Sequence, residues 1–223
     1  MFTEKVRALT KPYWEGSFNH PFIQELQAGT LSMEAFRYYL IQDRYYLEHF
    51  SQLHQLIAER TTDKEVKEML LEGGKHLAEG EIAIREDFFK ELKITDQEIE
   101  ETPIAPTAYH YVSHMYRQLV EGSVNSAVAG LLPCAWLYQE IGMTLTQSSH
   151  SMYQRWIDTY AGEEAQAEVL YQCQVVNRLF EEASVKDQQQ MIEAFVISAK
   201  LEYHFWEMSY ILEKWKGDKS CDS

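Results

Sequence analysis

The chain has 223 residues, of which 45% are hydrophobic and 13% aromatic, including 14 tyrosines. This composition predicts a folded globular protein with a substantial core and argues against disorder. The formal net charge of -15, which no cluster of lysines or arginines interrupts, argues against binding to nucleic acid or to anionic membranes.

The cysteines and the N-terminus indicate a cellular compartment. The three cysteines have unrelated spacings, and no charged segment followed by an apolar one opens the chain. Both features favour a reducing cytoplasm over a secreted disulfide framework. The apolar runs are too short to span a bilayer. We therefore expect a cytoplasmic protein without a membrane or nucleic-acid partner.

Capping and breaking residues predict three helices in the first part of the chain. A first helix is expected from Thr3 to near Gly16. Pro21 in a first turn and Gly29 after the last apolar position bracket a short second helix. Ser32 is the expected N-cap of a long third helix.

A carboxylate interrupts the apolar face of that long helix. Asp43 follows Phe36 and Leu40 at helical spacing and precedes Tyr46. An isolated ionised carboxylate in an apolar core is very costly, so Asp43 must be paired, hydrogen-bonded or facing a polar cavity. On this stretch alone two interpretations stay open: a functional carboxylate, or one that only accepts hydrogen bonds from buried tyrosines.

Caps and breakers predict the remaining helices. Asp63 caps a helix that continues to Phe88, and Thr95 begins a short helical turn. The later helices are expected from Pro106 to Gly122, from about Ser123 to Gln147, from Ser149 or Ser151 to near Gly162, from Glu163 to Ala183, and from about Asp187 onwards. His110 and His114 stand one turn apart, but no second pair of ligands completes a metal site, so solvent or core positions are favoured.

The helix after Ser123 contains a proline next to a cysteine. Pro133 displaces the carbonyl of Ala129, at a cost of about 3 kcal/mol in an ordinary helix interior. Cys134 and Tyr138 lie one turn apart on the inward face. A kinked core helix with a small apolar cysteine is the simpler interpretation of this stretch alone.

The last long helix carries a second inward carboxylate, Glu202, between Ser198 and Phe205. No strand pattern appears, so we predict an all-α fold, an up-and-down bundle of several long helices. Asp43, Cys134, Tyr138 and Glu202 would most readily satisfy one another around one internal pocket. A thiol, two carboxylates and tyrosines suit nucleophilic addition to a flat heterocycle whose ring nitrogen an acid protonates.

Six motifs, in order and without a missing block, resemble the TenA family, also called aminopyrimidine aminohydrolase or thiaminase II. They are WEGSFNHPF from Trp14, YYLIQDRYYLEHF from Tyr38, PTAYHYVSHMYR from Pro106, LLPCAWLY from Leu131, YQRWIDTYAG from Tyr153 and FVISAKLEYHFW from Phe195. The resemblance extends from about Trp14 to Trp215.

The resemblance implies a haem-oxygenase-like bundle in a homotetramer, with a catalytic domain over residues 1–216 and a frayed tail over 217–223. It implies hydrolysis of 4-amino-5-aminomethyl-2-methylpyrimidine to the 5-hydroxymethyl pyrimidine and ammonia. It also implies cleavage of thiamin to that pyrimidine and its thiazole, in thiamin salvage. No metal or organic cofactor is expected.

Site roles follow from the resemblance motif by motif. Cys134, in LLPC, corresponds to the nucleophile of the cysteine type, and Glu202 to the proton donor for the ring nitrogen. Asp43 would hold the aminopyrimidine edge, and Tyr46 would raise the nucleophilicity of Cys134. The remaining candidates are the substrate contacts Tyr138 and Tyr160 and the pocket walls Tyr111 and Phe205.

Two alternatives remain open at this point. A haem oxygenase would need an axial histidine, for which His20 and His54 are candidates, whereas a di-iron site would need Glu-x-x-His pairs that the sequence lacks. The second alternative is a non-catalytic protein that binds a pyrimidine or acts as a regulator.

Overall fold

The computed structural model describes residues 1–145 and 147–217, without the side chains of residues 78–80. The helices of this part of the chain are α1 Phe2–Asn19, α2 Pro21–Ala28, α3 Met33–Arg60, α4 Lys64–His76, α5 Ala83–Leu92, α6 Asp96–Glu101, α7 Pro106–Glu121, α8 Val124–Thr144, α9 Ser151–Tyr160, α10 Glu163–Glu182 and α11 Val185–Ile211. A π-helical segment, Leu77–Ile82, joins α4 to α5. The described residues contain no β-strand, which confirms the all-α prediction.

Local capping chemistry explains several helix boundaries. Ser32 accepts a hydrogen bond from the Ala35 amide at 3.1 Å and begins α3, as predicted. Pro21 opens α2, and Gly29 ends it in the left-handed region, with φ of 77°. These signals lie within one turn of the boundary, so the sequence alone locates the ends of such helices.

Other boundaries differ from prediction because packing overrides the local signal. The first helix continues past Gly16 to Asn19, and this glycine lies inside the helix against the ring of Tyr203 in α11, where a Cβ would be 3.0 Å from the ring. The helix predicted from Asp63 to Phe88 is divided by the π-helical segment. The end of α8 falls at Thr144 rather than Gln147.

The last helices also begin at slightly different residues. His150 is the N-cap of α9, so Ser151 is already helical rather than the cap. Ser184 caps α11 by accepting a hydrogen bond from the Asp187 amide at 3.2 Å, and the helix therefore begins at Val185. The expected tail over 217–223, with Cys221, lies outside the described residues except for Gly217.

The long helices α8 and α11 pack along each other, and α11 also contacts α1, α3 and α7. The core is strongly aromatic, and its fully buried side chains include Trp156, Trp206, Tyr39, Phe36 and Phe195. The helix α8 runs through Pro133 without interruption, and the proline is buried. No helix in the described part of the chain is both long and apolar enough to cross a membrane.

A close approach joins α8 to the end of α9. A Cβ on Gly142 would lie 2.6 Å from the carbonyl carbon of Tyr160, so only glycine fits there without displacing backbone. The contact holds Tyr160, the last residue of α9, beside the inward face of α8. A site between these helices therefore depends on this glycine.

Candidate active site

The polar side chains predicted to converge do so in the interior of the bundle. Asp43 comes from α3, Cys134 and Tyr138 from α8, and Glu202 from α11. Glu202 is 2% exposed, Asp43 3% and Cys134 8%. Carboxyl groups this deeply buried require partners, and each has them.

A cysteine and a glutamic acid form one end of the site. The Tyr111 hydroxyl donates a hydrogen bond to Glu202 Oε1 at 2.6 Å, and the thiol of Cys134 contacts the same carboxyl group. The ring of Tyr46 packs against that of Tyr111 at an angle of 39°, with centroids 4.8 Å apart, and the Tyr46 hydroxyl is next to the thiol. Phe205 closes this end, 5.9 Å from the ring of Tyr46.

Burial sets the protonation state of this end. It raises the pKa of Glu202 to about 8, although the hydrogen bond from Tyr111 lowers it. Burial likewise raises the pKa of the Cys134 thiol well above its usual value, and the neighbouring carboxyls of Glu202 and Glu81 raise it further. At neutral pH the site therefore holds a neutral carboxylic acid in contact with a neutral thiol.

An ion pair forms the other end of the site. Asp43 pairs with Arg85 of α5, which is only 6% exposed. Burial raises the pKa of Asp43 to about 7, and the charge of Arg85 opposes this effect. Burial disfavours the charged guanidinium, but Asp43 and the surrounding tyrosines outweigh it and raise the pKa of Arg85 above its usual value. Arg85 therefore carries a positive charge in the interior.

Tyrosines connect the ion pair to the wall of a pocket. The guanidinium of Arg85 donates to the hydroxyls of Tyr39 and Tyr160, at 3.3 and 3.4 Å. The Tyr160 hydroxyl donates in turn to Glu81 Oε2 at 3.1 Å. The rings of Tyr138 and Tyr160 are 4.9 Å apart in an edge-to-face arrangement.

A pocket of about 490 Å³ reaches this network from the surface. Cys134, Tyr138, Tyr160 and Glu81 line its inner part. Its lining among the described residues does not include Asp43, Tyr46, Tyr111, Glu202 or Phe205, which lie in the packed interior. The structure thus brings all the predicted site residues together, but only three of them border open volume.

Three residues of the site were not predicted from the sequence: Tyr39, Glu81 and Arg85. Tyr39 lies one turn before Asp43, on the same inward face. Glu81 and Arg85 lie seven and three residues before the buried Phe88, so they share its face of the helix. Charged residues at these spacings from a buried aromatic residue were therefore a readable signal of charge in the interior.

The histidines singled out in the sequence are engaged elsewhere. His110 is exposed, whereas His114 is buried, with Nε2 3.2 Å from the Ala194 carbonyl oxygen. His20 accepts from the Phe22 amide through Nδ1, and its Nε2 contacts Glu207 at 3.0 Å. His54 Nδ1 lies 2.8 Å from the Phe50 carbonyl oxygen. Among the described residues, no three metal-ligating side chains form a cluster.

Fold and site together define an all-α protein with a buried cysteine and carboxyl pair beside a deep pocket. Residues 7–211 match the TENA/THI-4/PQQC family. The chain belongs to this family, as its six motifs predicted.

Similar proteins cover nearly the whole chain. The aminopyrimidine aminohydrolase of Bacillus subtilis (strain 168) is 38% identical over 216 residues, which are 96% of this chain and 92% of that protein. The aminopyrimidine aminohydrolase of Helicobacter pylori is 28% identical, over 88% of this chain and 93% of its own. The crystal structure of a TenA family transcription regulator from Silicibacter sp. TM1040 superposes with a TM-score of 0.85 and 26% identity, over 94% of this chain and 96% of that one. The fold is the haem-oxygenase-like all-α bundle.

Proposed function

We propose that this protein is a hydrolase of thiamin salvage. It converts 4-amino-5-aminomethyl-2-methylpyrimidine and water into the 5-hydroxymethyl pyrimidine and ammonia, and it cleaves thiamin to that pyrimidine and its thiazole. The observation that carries the proposal is the contact between the Cys134 thiol, which lines the pocket, and the buried, protonated carboxyl of Glu202. The 38% identity to an aminopyrimidine aminohydrolase supports the same reaction.

The mechanism follows from the protonation states of these two groups. Glu202 donates its proton to a ring nitrogen while the sulfur of Cys134 adds to the adjacent ring carbon, and the carboxylate so formed takes up the thiol proton. The bond between the exocyclic methylene and the leaving nitrogen then breaks, and its electron pair departs with the nitrogen. Water adds to the methylene and loses a proton to the solvent. The sulfur finally leaves the ring with the electrons of the carbon–sulfur bond, and the proton on the ring nitrogen returns through Glu202 to restore the Cys134 thiol.

The other site residues bind and orient the substrate in this proposal. Asp43 accepts hydrogen bonds from the aminopyrimidine edge. Tyr46 raises the nucleophilicity of the Cys134 sulfur. The rings that surround the substrate are Tyr111, Tyr138, Tyr160 and Phe205. The aromatic character of these walls supports the proposal, because a flat heterocycle stacks favourably against such rings.

The direct test is turnover by the purified protein. Ammonia release and chromatographic detection of the hydroxymethyl pyrimidine are measured with the aminomethyl pyrimidine and with thiamin. We expect turnover of both compounds, and the two specificity constants then rank them. Failure to hydrolyse either compound would contradict the proposal.

We further infer a cytoplasmic homotetramer whose catalytic domain comprises residues 1–216. Large apolar side chains on the surface, among them Leu170 at 59% and Met143 at 50% exposure, support an assembly. The second candidate function is transcription regulation, which one solved relative's description names for that protein. A net charge of -15 disfavours direct DNA binding, and a gel-shift assay at low salt tests it.

A further inference from the structure

The pocket that leads to Cys134 is acidic along its length. Its carboxylates are Glu81, which accepts a hydrogen bond from Tyr160, and Asp158, Glu164 and Glu168. Among the described residues that line it, there is no lysine or arginine. A cleft lined by one sign of charge concentrates ligands of the opposite sign, because its low-dielectric walls focus the field. The approach to the thiol therefore favours cations.

The interior around the site also holds more carboxyl groups than cationic groups. Three carboxyl groups, those of Asp43, Glu81 and Glu202, surround the site. Glu202 is neutral at neutral pH, and Arg85 is the buried guanidinium that faces the other two. Arg85 is already paired with Asp43. A ligand that brings a positive charge next to Glu81 would supply the missing counter-charge, whereas a neutral ligand would not.

Glu81 has a fixed position at the inner end of the pocket. The Tyr160 hydroxyl donates to its Oε2 at 3.1 Å, and Arg85 donates to the same hydroxyl at 3.4 Å. Glu81 and Cys134 line the same pocket, and the carboxyl is close enough to influence the thiol electrostatically. A group attached next to the carbon that the sulfur attacks would thus lie in the same pocket as this carboxylate.

We propose that Glu81 binds the positive charge of the leaving group, so that the pocket selects pyrimidines with a cationic substituent on the methylene over neutral analogues. The substituent would be a protonated amine or a quaternary azolium. This inference rests on the function proposed above, since it concerns the same reaction and the same site.

The flow of electrons predicts how Glu81 acts. The bond to the leaving nitrogen breaks with both electrons on nitrogen, so an ammonium group leaves as neutral ammonia and a thiazolium as neutral thiazole. The positive charge near Glu81 is therefore smaller in the transition state than in the bound substrate. An interaction that weakens toward the transition state lowers KM and does not raise kcat.

The test compares Glu81→Gln with the wild type on three substrates: thiamin, the aminomethyl pyrimidine and its neutral N-formyl derivative. Glutamine keeps the size of the side chain and an acceptor for Tyr160. We expect KM to rise about tenfold for the two cations, with no comparable loss in kcat, and to change less than about threefold for the neutral compound. Glu86→Gln is the matched control, because it removes the same charge from an exposed position outside the pocket.

A second measurement needs no variant. Raising the ionic strength of the wild-type assay should raise KM for both cations and leave KM for the neutral derivative nearly constant. Equal losses on all three substrates, or a loss confined to kcat, would overturn the role of Glu81 while leaving the proposed function intact. Absence of turnover by the wild type would overturn the proposed function and, with it, this inference.

Discussion

The sulfur of Cys134 is the atom on which the proposed chemistry depends. The thiol is buried and touches the carboxyl of Glu202. Replacing it with a hydroxyl in Cys134→Ser changes the shape very little, but a hydroxyl is a far weaker nucleophile at neutral pH. We expect kcat to fall by about 10³-fold or more, measured by ammonia release, with unchanged helix content by circular dichroism.

Cys173 provides a matched control for that variant. It is half-buried on α10, and burial raises the pKa of its thiol to about 12. Cys173→Ser makes the same change of atom away from the pocket that reaches Cys134, so activity should persist. Hydrolysis at the wild-type rate in Cys134→Ser would refute the role of Cys134 as the nucleophile.

The raised pKa of Glu202 predicts how kcat/KM depends on pH. Because burial raises its pKa to about 8, the group is protonated below that pH and loses its proton above it. An acid catalyst must be protonated, so kcat/KM for thiamin should fall as pH rises through about 8. Asp43, with a pKa raised by burial to about 7, is expected to affect the acidic side of the profile instead.

Glu202→Gln distinguishes this group from others that titrate. The variant keeps an acceptor for the Tyr111 hydroxyl but has no proton to donate near pH 8. We expect a lower rate without the decline above pH 8, in a profile recorded from pH 6 to 10. If the rate of the variant declined above pH 8 as that of the wild type does, the decline would belong to the titration of another group.

At the scale of helices, the buried pair of Arg85 and Asp43 ties α5 to α3. Asp43→Asn leaves the guanidinium buried without its carboxylate, and a lone buried charge typically costs about 3–5 kcal/mol. Urea unfolding should show this loss, and Arg85→Met in the same chain should recover part of it. Asp87→Asn removes the exposed partner of Lys90 on the same helix, and it should cost about 1 kcal/mol or less. Equal losses of unfolding free energy in the two asparagine variants would mean that the buried pair contributes no more stability than the exposed one.

The same helices show what the sequence could and could not predict. Both ends of α2 and the start of α3 were predicted because capping depends on neighbours in the chain, such as Gly29 and Ser32. The continuation of α1 beyond Gly16 was missed because glycine is a typical helix stop, whereas this glycine lies inside the helix against Tyr203, which is distant in sequence. The π-helical segment was missed for a related reason, since no local pattern marks it. Glu81 and Arg85 were overlooked as well, although their spacing from Phe88 was visible in the sequence.

At the scale of the whole molecule, the sequence identified buried polar groups but not their distances. Asp43, Cys134 and Glu202 were recognised because each interrupts an apolar helix face. Their assembly into one network depends on the packing of α3, α8 and α11, which no single helix specifies. The motif resemblance predicted the family and the all-α bundle. The roles of the individual residues remain predictions that the variants above test.

The proposed homotetramer is the prediction that belongs to the whole molecule. Leu170 and Met143 line a groove of about 850 Å³ together with Trp136 and Cys173. Exposed apolar groups that share a groove gain stability when a second copy covers them, and we place one contact of the tetramer there. Light scattering should give four times the 26.2 kDa of one chain.

Leu170→Glu should lower that mass, because a charge would be buried in the contact. Val185→Glu, at a position 84% exposed and outside the groove, should leave it unchanged. A mass of 26.2 kDa for the wild type at all concentrations would contradict the assembly.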